Sequence, residues 1–500
     1  MEGDLLYKFE FKKKNLGIAL FLLGIVYLVI ASYYGLKFPG LWHDEIYTQA
    51  IVNISFSQML ERGISNVHPL GYYIGLKLFK KLCFMINFTD VEAISIIFSL
   101  IPMYLLYILS ATKIRKNFGL LTAGIFSLCI ISMPILMKYA TEVRMYSWGL
   151  FFVTICFLYM WEIKKNSNFK NWALFTIFTI CSAYTHYFTA VTCGVMYLII
   201  FLYVFKDKVE LKKWVLSVIM AILAYSSWIP YAFSQVTSVS SDYWIDPITL
   251  ETILNYFYFM FNPMTQIVPN SMAHEFLKPK FEILGLILIL SLLALLVLYI
   301  INRNDLSEEA RDKNNFAILG WIIVVAVPAI GVIISLIKTP VFYMRYLVPL
   351  LGILWLGFSI LLEGNYDKKK IFYPILIIVL VIGVVSTVNF IDYSQNAHDF
   401  QSYDRDMVLN EIPDGSAIIT NDYHIKLLIE SYAKNPQKFY KKKPTILGNV
   451  EDSLDSKKIE GKRIFVISNE SDLNFTDLNV SVVQKKPFVY DDTLYEIVKN

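Results

Sequence analysis

Residues able to do chemistry gather in four short polar clusters of an otherwise apolar chain: Trp42-His43-Asp44-Glu45, His68-Pro69, Glu142-Val143-Arg144-Met145-Tyr146 and Tyr184-Thr185-His186-Tyr187. Carboxylates such as Asp44 and Glu45 can serve as general bases towards an acceptor hydroxyl or amine. Guanidiniums such as Arg144 and Arg345 offer a planar fork that matches phosphate oxygens, and a buried one needs an anionic partner. On a regular helix, residues two apart point about 200° from each other, so Glu142 and Arg144 cannot easily share a face. Arg144 is then available to something else, and a lipid phosphate fits.

Plainer explanations exist for each group. Asp44 could cap a helix starting near Ile46. A lone histidine at a helix end is commonly a structural hydrogen bonder. His43, His68 and His186, with Asp44, Glu45 and Glu142, could also hold a divalent metal, although no HExxH-like spacing supports one and no cofactor is certain. Tyr146, Tyr187 and Tyr346 could line a site, yet most membrane aromatics are interfacial anchors. Topology favours one site over separate caps, because ionisable groups at membrane-helix ends are costly and these converge on one face.

The elements that must position them are membrane helices. The chain has 500 residues, 56% hydrophobic and 17% charged, with mean hydropathy +0.51. Soluble domains carry roughly 25% charged residues, so this composition excludes a soluble globular class. Runs such as Leu16 to Ala31 and Phe281 to Ile301 suffice, at 1.5 Å per residue, for a core of about 30 Å. Hydropathy predicts about eleven spans, at 15–34, 91–112, 119–137, 143–162, 171–187, 188–205, 213–233, 281–301, 316–337, 342–362 and 371–391.

Lys and Arg gather in alternate loops: Lys8 to Lys14, Lys113 to Lys116, Lys164 to Lys170, Lys206 to Lys213, Arg303 to Lys313 and Lys368 to Lys370. The positive-inside rule makes those loops and the N-terminus cytoplasmic, in a multi-pass protein of the plasma membrane. Loops 35–90, 138–143, 234–280 and the Lys338-Thr339-Pro340 turn then face outward. Lys12-Lys13-Lys14 resembles the basic start of a signal peptide, but no small-x-small site closes the run, so the first helix is read as retained. The five cysteines lie in or beside apolar segments and give no disulfide framework.

In the first outer loop, Ile46, Ala50, Ile51 and Ile54 recur at helical spacing. Lys77, Lys80 and Lys81 share one face of a segment beginning at Pro69. These read as helices in the interface plane, not as spans. After about residue 392 the pattern changes to short strands at Ser416 to Thr420 and Arg463 to Ser468, a helix from Tyr423 to Ala433, and a turn at Pro413-Asp414-Gly415. The expected architecture is an α-helical membrane domain over 1–391, with 35–90 as its catalytic outer loop, and a small extracytoplasmic α/β domain over 392–500. The tail has no Gly-x-Gly-x-x-Gly or Gly-Lys-Ser/Thr, so nucleotide binding has no support there, and nothing points to a nucleic acid partner.

Taken in order, the four clusters, extended to His68-Pro69-Leu70-Gly71-Tyr72-Tyr73 and joined by Arg345-Tyr346-Leu347-Val348-Pro349, resemble bacterial members of glycosyltransferase family 39. These are GT-C membrane enzymes that include protein O-mannosyltransferases and the lipid A aminoarabinose transferase. The resemblance runs over most of residues 1–395; Leu70 stands where many members have a second proline. It implies a polyprenyl-phosphate-linked sugar as donor, transferred outside the cytoplasm with inversion to a protein, lipid or envelope glycan. The family's acidic catalytic pair maps to Asp44-Glu45. Substrate-binding stretches map to His68 to Tyr73, which includes Tyr72, and to Glu142 to Tyr146.

Physics and resemblance together suggest a division of labour. Asp44 accepts the acceptor's proton, Arg144 and Arg345 stabilise the departing phosphate, and Glu45, His43 and His186 orient acceptor or base. A polymerase or ligase of lipid-linked glycans is the competing enzyme. A transporter or flippase would place ionisable residues near the bilayer midplane and show repeat symmetry, and neither pattern is apparent. A membrane scaffold whose tail binds a partner would leave Asp44, Arg144 and His186 with capping alone.

Overall fold

The computed structural model describes residues 2–500 apart from 65–67, 239–244, 246, 264–265, 269–274, 278–281, 414, 421, 433–445, 455–462, 471–472, 477 and 490–491. The described chain is mostly helical and divides into two compact units. One comprises Met1–Lys37, Leu60–Gln266 and Phe276–Tyr393; the other comprises Phe38–Met59, Ile267–Glu275 and Ser394–Asn500.

Each of the eleven expected segments of the first unit contains a helix. Among the described residues, eight helices are long and apolar enough to cross a membrane, or nine if one bent pair counts as a span. Three expected spans account for the difference. The segment 119–137 is split between Leu120–Ser132 and the start of Leu136–Thr141, because Pro134 drives Met133 into the extended region and stops the first helix. The segment 171–187 becomes Phe169–Thr185, 17 residues long. The segment 213–233 is broken into Lys208–Tyr225 and Ile229–Gln235, bent by 69°.

Helix starts follow the local chemistry. Asp90 accepts from the Ala93 N–H at 3.0 Å and Asn168 from the Asn171 N–H at 2.9 Å, each satisfying an otherwise orphaned donor of a first turn. The tenth expected span, 342–362, is not one regular helix. It opens as a 3-10 helix, Met344–Leu350, before Leu351–Glu363, with Pro349 at the junction unable to donate an α-helical hydrogen bond. The segment read as interfacial from Pro69 is a 15-residue helix, Gly71–Met85, and is not among the long apolar ones.

The second unit holds the helix His43–Asn53 and a mixed sheet. Strand Ala417–Thr420 pairs in parallel with Ile464–Ser468, which pairs antiparallel with Thr493–Lys499, itself antiparallel to Val480–Pro487. The last two strands were not among the expectations; Val480–Pro487 is exposed along nearly all its length and so lacks the alternation that marks a half-buried strand. Its Lys485, Lys486 and Pro487 are residues that protect a sheet edge. Ile419, Val466, Tyr495 and Ile497 pack with Ile446 and Val450 of the helix Ile446–Leu454. The expected 423–433 helix is present as Tyr423–Tyr432, and its Ser431 hydroxyl donates to the Ile46 carbonyl at 2.9 Å. Gly415 has φ +85°, a turn conformation glycine adopts without strain, while Asp414 of the expected turn lies outside the described residues.

Candidate functional site

The polar clusters of the first unit sit where helices are interrupted. His186 is the single extended residue between Phe169–Thr185 and Tyr187–Val204, with φ −159° and ψ 148°. Its Nδ1 accepts the Phe188 N–H at 3.1 Å, capping the second helix. A neutral imidazole that accepts at Nδ1 carries its proton on Nε2. That Nε2 is buried and has no hydrogen-bond partner among the described residues.

Other side chains close around this ring. The His68 ring lies 5.2 Å from His186, centroid to centroid, Tyr346 lies at 4.6 Å and Tyr146 at 6.0 Å. His68 reaches this place because its loop ends at Gly71, packed against the backbone of the same break: a Cβ there would stand 2.6 Å from the Tyr184 carbonyl oxygen. Arg144 and Arg345 are buried, at 4% and 9% exposure. Arg144 lies in the non-helical step before Tyr146–Lys165, and its Nη1 donates to the Tyr73 hydroxyl at 3.2 Å. Arg345 belongs to the 3-10 turn, with its guanidinium 5.2 Å from the centre of the Tyr343 ring.

Electrostatics give the cluster its character. Burial, then the neighbouring His186, Arg144 and Arg345, hold the His68 pKa well below its usual value. Burial, then Arg144 and Arg345, lower that of His186 in the connection between its two helices. Both imidazoles are therefore neutral beside two cations, and the cluster combines positive charge with a neutral N–H donor. Glu142 does not offset the guanidiniums from a bare position: it pairs with Lys138 at 3.0 Å, four residues earlier, and both side chains are buried. Lys138 also lies over the Tyr139 ring at 4.5 Å, and that ring meets Tyr146 edge-on at 5.4 Å.

Not every expected residue joins this group. Tyr72 packs on Phe98 at 5.7 Å with its hydroxyl 3.4 Å from Ser99 Oγ, and the neighbouring Tyr73, within the expected His68 to Tyr73 stretch but not singled out there, contacts the arginine instead. Tyr187 turns to Gln235, to which it donates, and accepts from Trp228 Nε1 at 3.2 Å. Lys138 was also missed, though its spacing of four from Glu142 was a usable signal. Among the described residues, no group of three or more His, Cys, Asp or Glu side chains could hold a metal ion.

His43, Asp44 and Glu45 belong to the second unit and form the first turn of His43–Asn53. This corrects the idea that Asp44 caps a helix starting near Ile46: the cap position is Trp42. Glu45 Oε2 accepts the Trp42 N–H at 3.1 Å, so the reach back to the cap falls to Glu45. Asp44 remains in the first turn, where a carboxylate is favoured by the helix dipole.

With its long apolar helices and small C-terminal sheet, the chain shares its fold with proteins of known structure. It is similar to ArnT from Cupriavidus metallidurans in the apo state, with TM-score 0.62 and 10% identity over 95% of this chain and 97% of that one. It is similar also to the same protein bound to undecaprenyl phosphate, with TM-score 0.59, 10% identity and the same coverage. No family model and no curated protein matches the sequence.

Proposed function

We propose that the protein is a membrane glycosyltransferase that moves a hexosyl or pentosyl group from a polyprenyl-phosphate-linked monosaccharide to an extracytoplasmic protein, lipid or envelope glycan, with inversion. The observation that carries this reading is the grouping of Arg144, Arg345, neutral His68 and neutral His186 in one buried cluster. Such a cluster suits a phosphate, which takes charge-assisted bonds from the guanidiniums and a further one from the His186 Nε2–H. The likeness to ArnT, seen with undecaprenyl phosphate bound, adds support for a lipid-borne donor.

In this mechanism the acceptor oxygen or nitrogen attacks the anomeric carbon, and Asp44 takes its proton. The bond from that carbon to the phosphate oxygen breaks, and both its electrons leave with polyprenyl phosphate. A phosphate is already a good leaving group, so Arg144 and Arg345 stabilise its growing charge in place of a general acid. Glu45 and His43 flank the base. The role of Asp44 rests on its chemistry and on the family resemblance.

The test uses purified protein in lipid, a panel of radiolabelled polyprenyl-phosphate monosaccharides, and membrane extract as acceptor. Wild type should turn over one donor, and Asp44→Asn should lose at least about tenfold, some 1.4 kcal/mol of barrier, with folding intact. No turnover of any monosaccharide donor would move the assignment to a polymerase of preassembled glycans. Turnover indifferent to Asp44→Asn would remove Asp44 from the role of base.

A further inference from the structure

Helices Tyr146–Lys165 and Tyr187–Val204 begin at the arginine–histidine cluster and end about 27–30 Å away, at 1.5 Å per residue. At that far end their last turns and the start of Glu308–Ile337 enclose a cavity of about 230 Å³. Ile163, Ile200, Val204 and Leu319 contribute apolar walls, while Lys164, Ser167 and Glu210 contribute the polar rim.

Counted with the residues joined to its rim by ion pairs, Lys165, Lys213 and Asp312 beyond the lining, the cavity's surroundings carry an excess of positive charge. Lys164 and Lys165 share the single carboxylate of Asp312, at 3.2 and 4.0 Å. Glu210 is already engaged by Lys213 at 2.7 Å and by the Ser167 hydroxyl. The acids are thus neutralised and one ammonium of the Lys164–Lys165 pair is in surplus, with Lys206, Lys208 and Lys212 extending the basic surface along the chain. An apolar cavity under a basic rim at the end of a membrane bundle matches an amphiphile with an anionic head. A soluble anion would gain nothing from the aliphatic walls.

We propose that this cavity holds an acyl chain of an anionic phospholipid from the leaflet at the lysine-rich end, with the lipid phosphate bound by Lys164 and Lys165. The site is distinct from the one assigned to the sugar donor and stands independently of that assignment. Basic pockets between membrane helices recognise anionic lipid heads through this pairing of charge and apolar depth.

The experiment reconstitutes the full chain in bilayers of equal phosphatidylglycerol and phosphatidylcholine, extracts it in mild detergent, and counts retained lipid by native mass spectrometry. Wild type should retain phosphatidylglycerol over phosphatidylcholine by about fivefold, the scale set by one surplus lysine near a lipid surface. Lys164→Gln with Lys165→Gln should abolish that preference, and Ile200→Trp, which fills the cavity, should remove the bound lipid. Leu319→Phe, on another wall, gives the same reading should Ile200→Trp fail to fold. Equal retention of the two lipids by wild type would overturn the proposal. So would retention by the filled variant at the wild-type level, or a preference that survives loss of both lysines.

Discussion

Arg144 Nη1 donates to the hydroxyl of Tyr73 at 3.2 Å, whereas the adjacent Tyr72 faces Phe98 and Ser99. Successive residues of a helix diverge by about 100°, so only one of this tyrosine pair can face the arginine. Tyr73 is fully buried and touches the guanidinium without being its counterion, so under the proposed function its part is to position Arg144.

Tyr73→Phe should therefore lower kcat/KM by about tenfold, the scale of one hydrogen bond to a charged group at roughly 1.5 kcal/mol. Tyr72→Phe should cost less than half that energy. Donor turnover by the two variants side by side checks the assignment; equal losses would show that the ring stack, not the hydroxyl, matters.

Lys138 and Glu142 form a buried ion pair, with side chains 7% and 3% exposed. Removing one partner leaves a charge in a poorly solvated place, a loss of about 3–5 kcal/mol. Lys138→Met should lower the thermal unfolding temperature sharply, and Lys138→Met with Glu142→Leu should recover part of the loss. A double variant no more stable than the single one would contradict this account.

Gly71 has no room for a side chain, because its Cβ would meet the Tyr184 carbonyl oxygen at 2.6 Å. Gly71→Ala must push the Gly71–Met85 helix off the break that carries His186, at a cost of about 1–3 kcal/mol. Reduced stability together with a raised KM for donor is expected, since His68 moves with that helix start. Steady-state kinetics and thermal unfolding of the variant measure both effects.

Stability should also depend on pH. The folded pKa of His68 lies below its ordinary value of about 6.5, through burial first and then through His186, Arg144 and Arg345. Below about pH 6.5 the unfolded chain binds a proton that the folded chain refuses, so stability is full above that pH and falls as pH drops towards the folded pKa. His186 adds a second group of the same sign. The unfolding temperature should fall between about pH 7 and pH 5, and His68→Gln should flatten part of that slope.

The membrane character, the order of the helices and the identity of the polar clusters are written in local chemistry. Apolar runs of spanning length, lysines in alternate loops and residues such as Asp90 and Asn168 at helix starts act over a few neighbours. The same holds for Ala417–Thr420 and Ile464–Ser468, whose β-branched runs announce strands. The exposed strand Val480–Pro487 carried no such alternation, because its place is fixed by pairing with Thr493–Lys499 and not by a buried face.

Tertiary packing decided what no local signal encodes. Pro134 could be read as a helix breaker, but that His186 would be one extended residue between two helices, with Phe188 fixing its tautomer, depends on how those helices pack. Likewise, the choice of Tyr73 over Tyr72 for Arg144, and the meeting of His68 with His186 across 118 positions of chain, arise from contacts distant in sequence. Local propensities set which elements form; the burial of helix faces against one another sets which side chains those elements bring together.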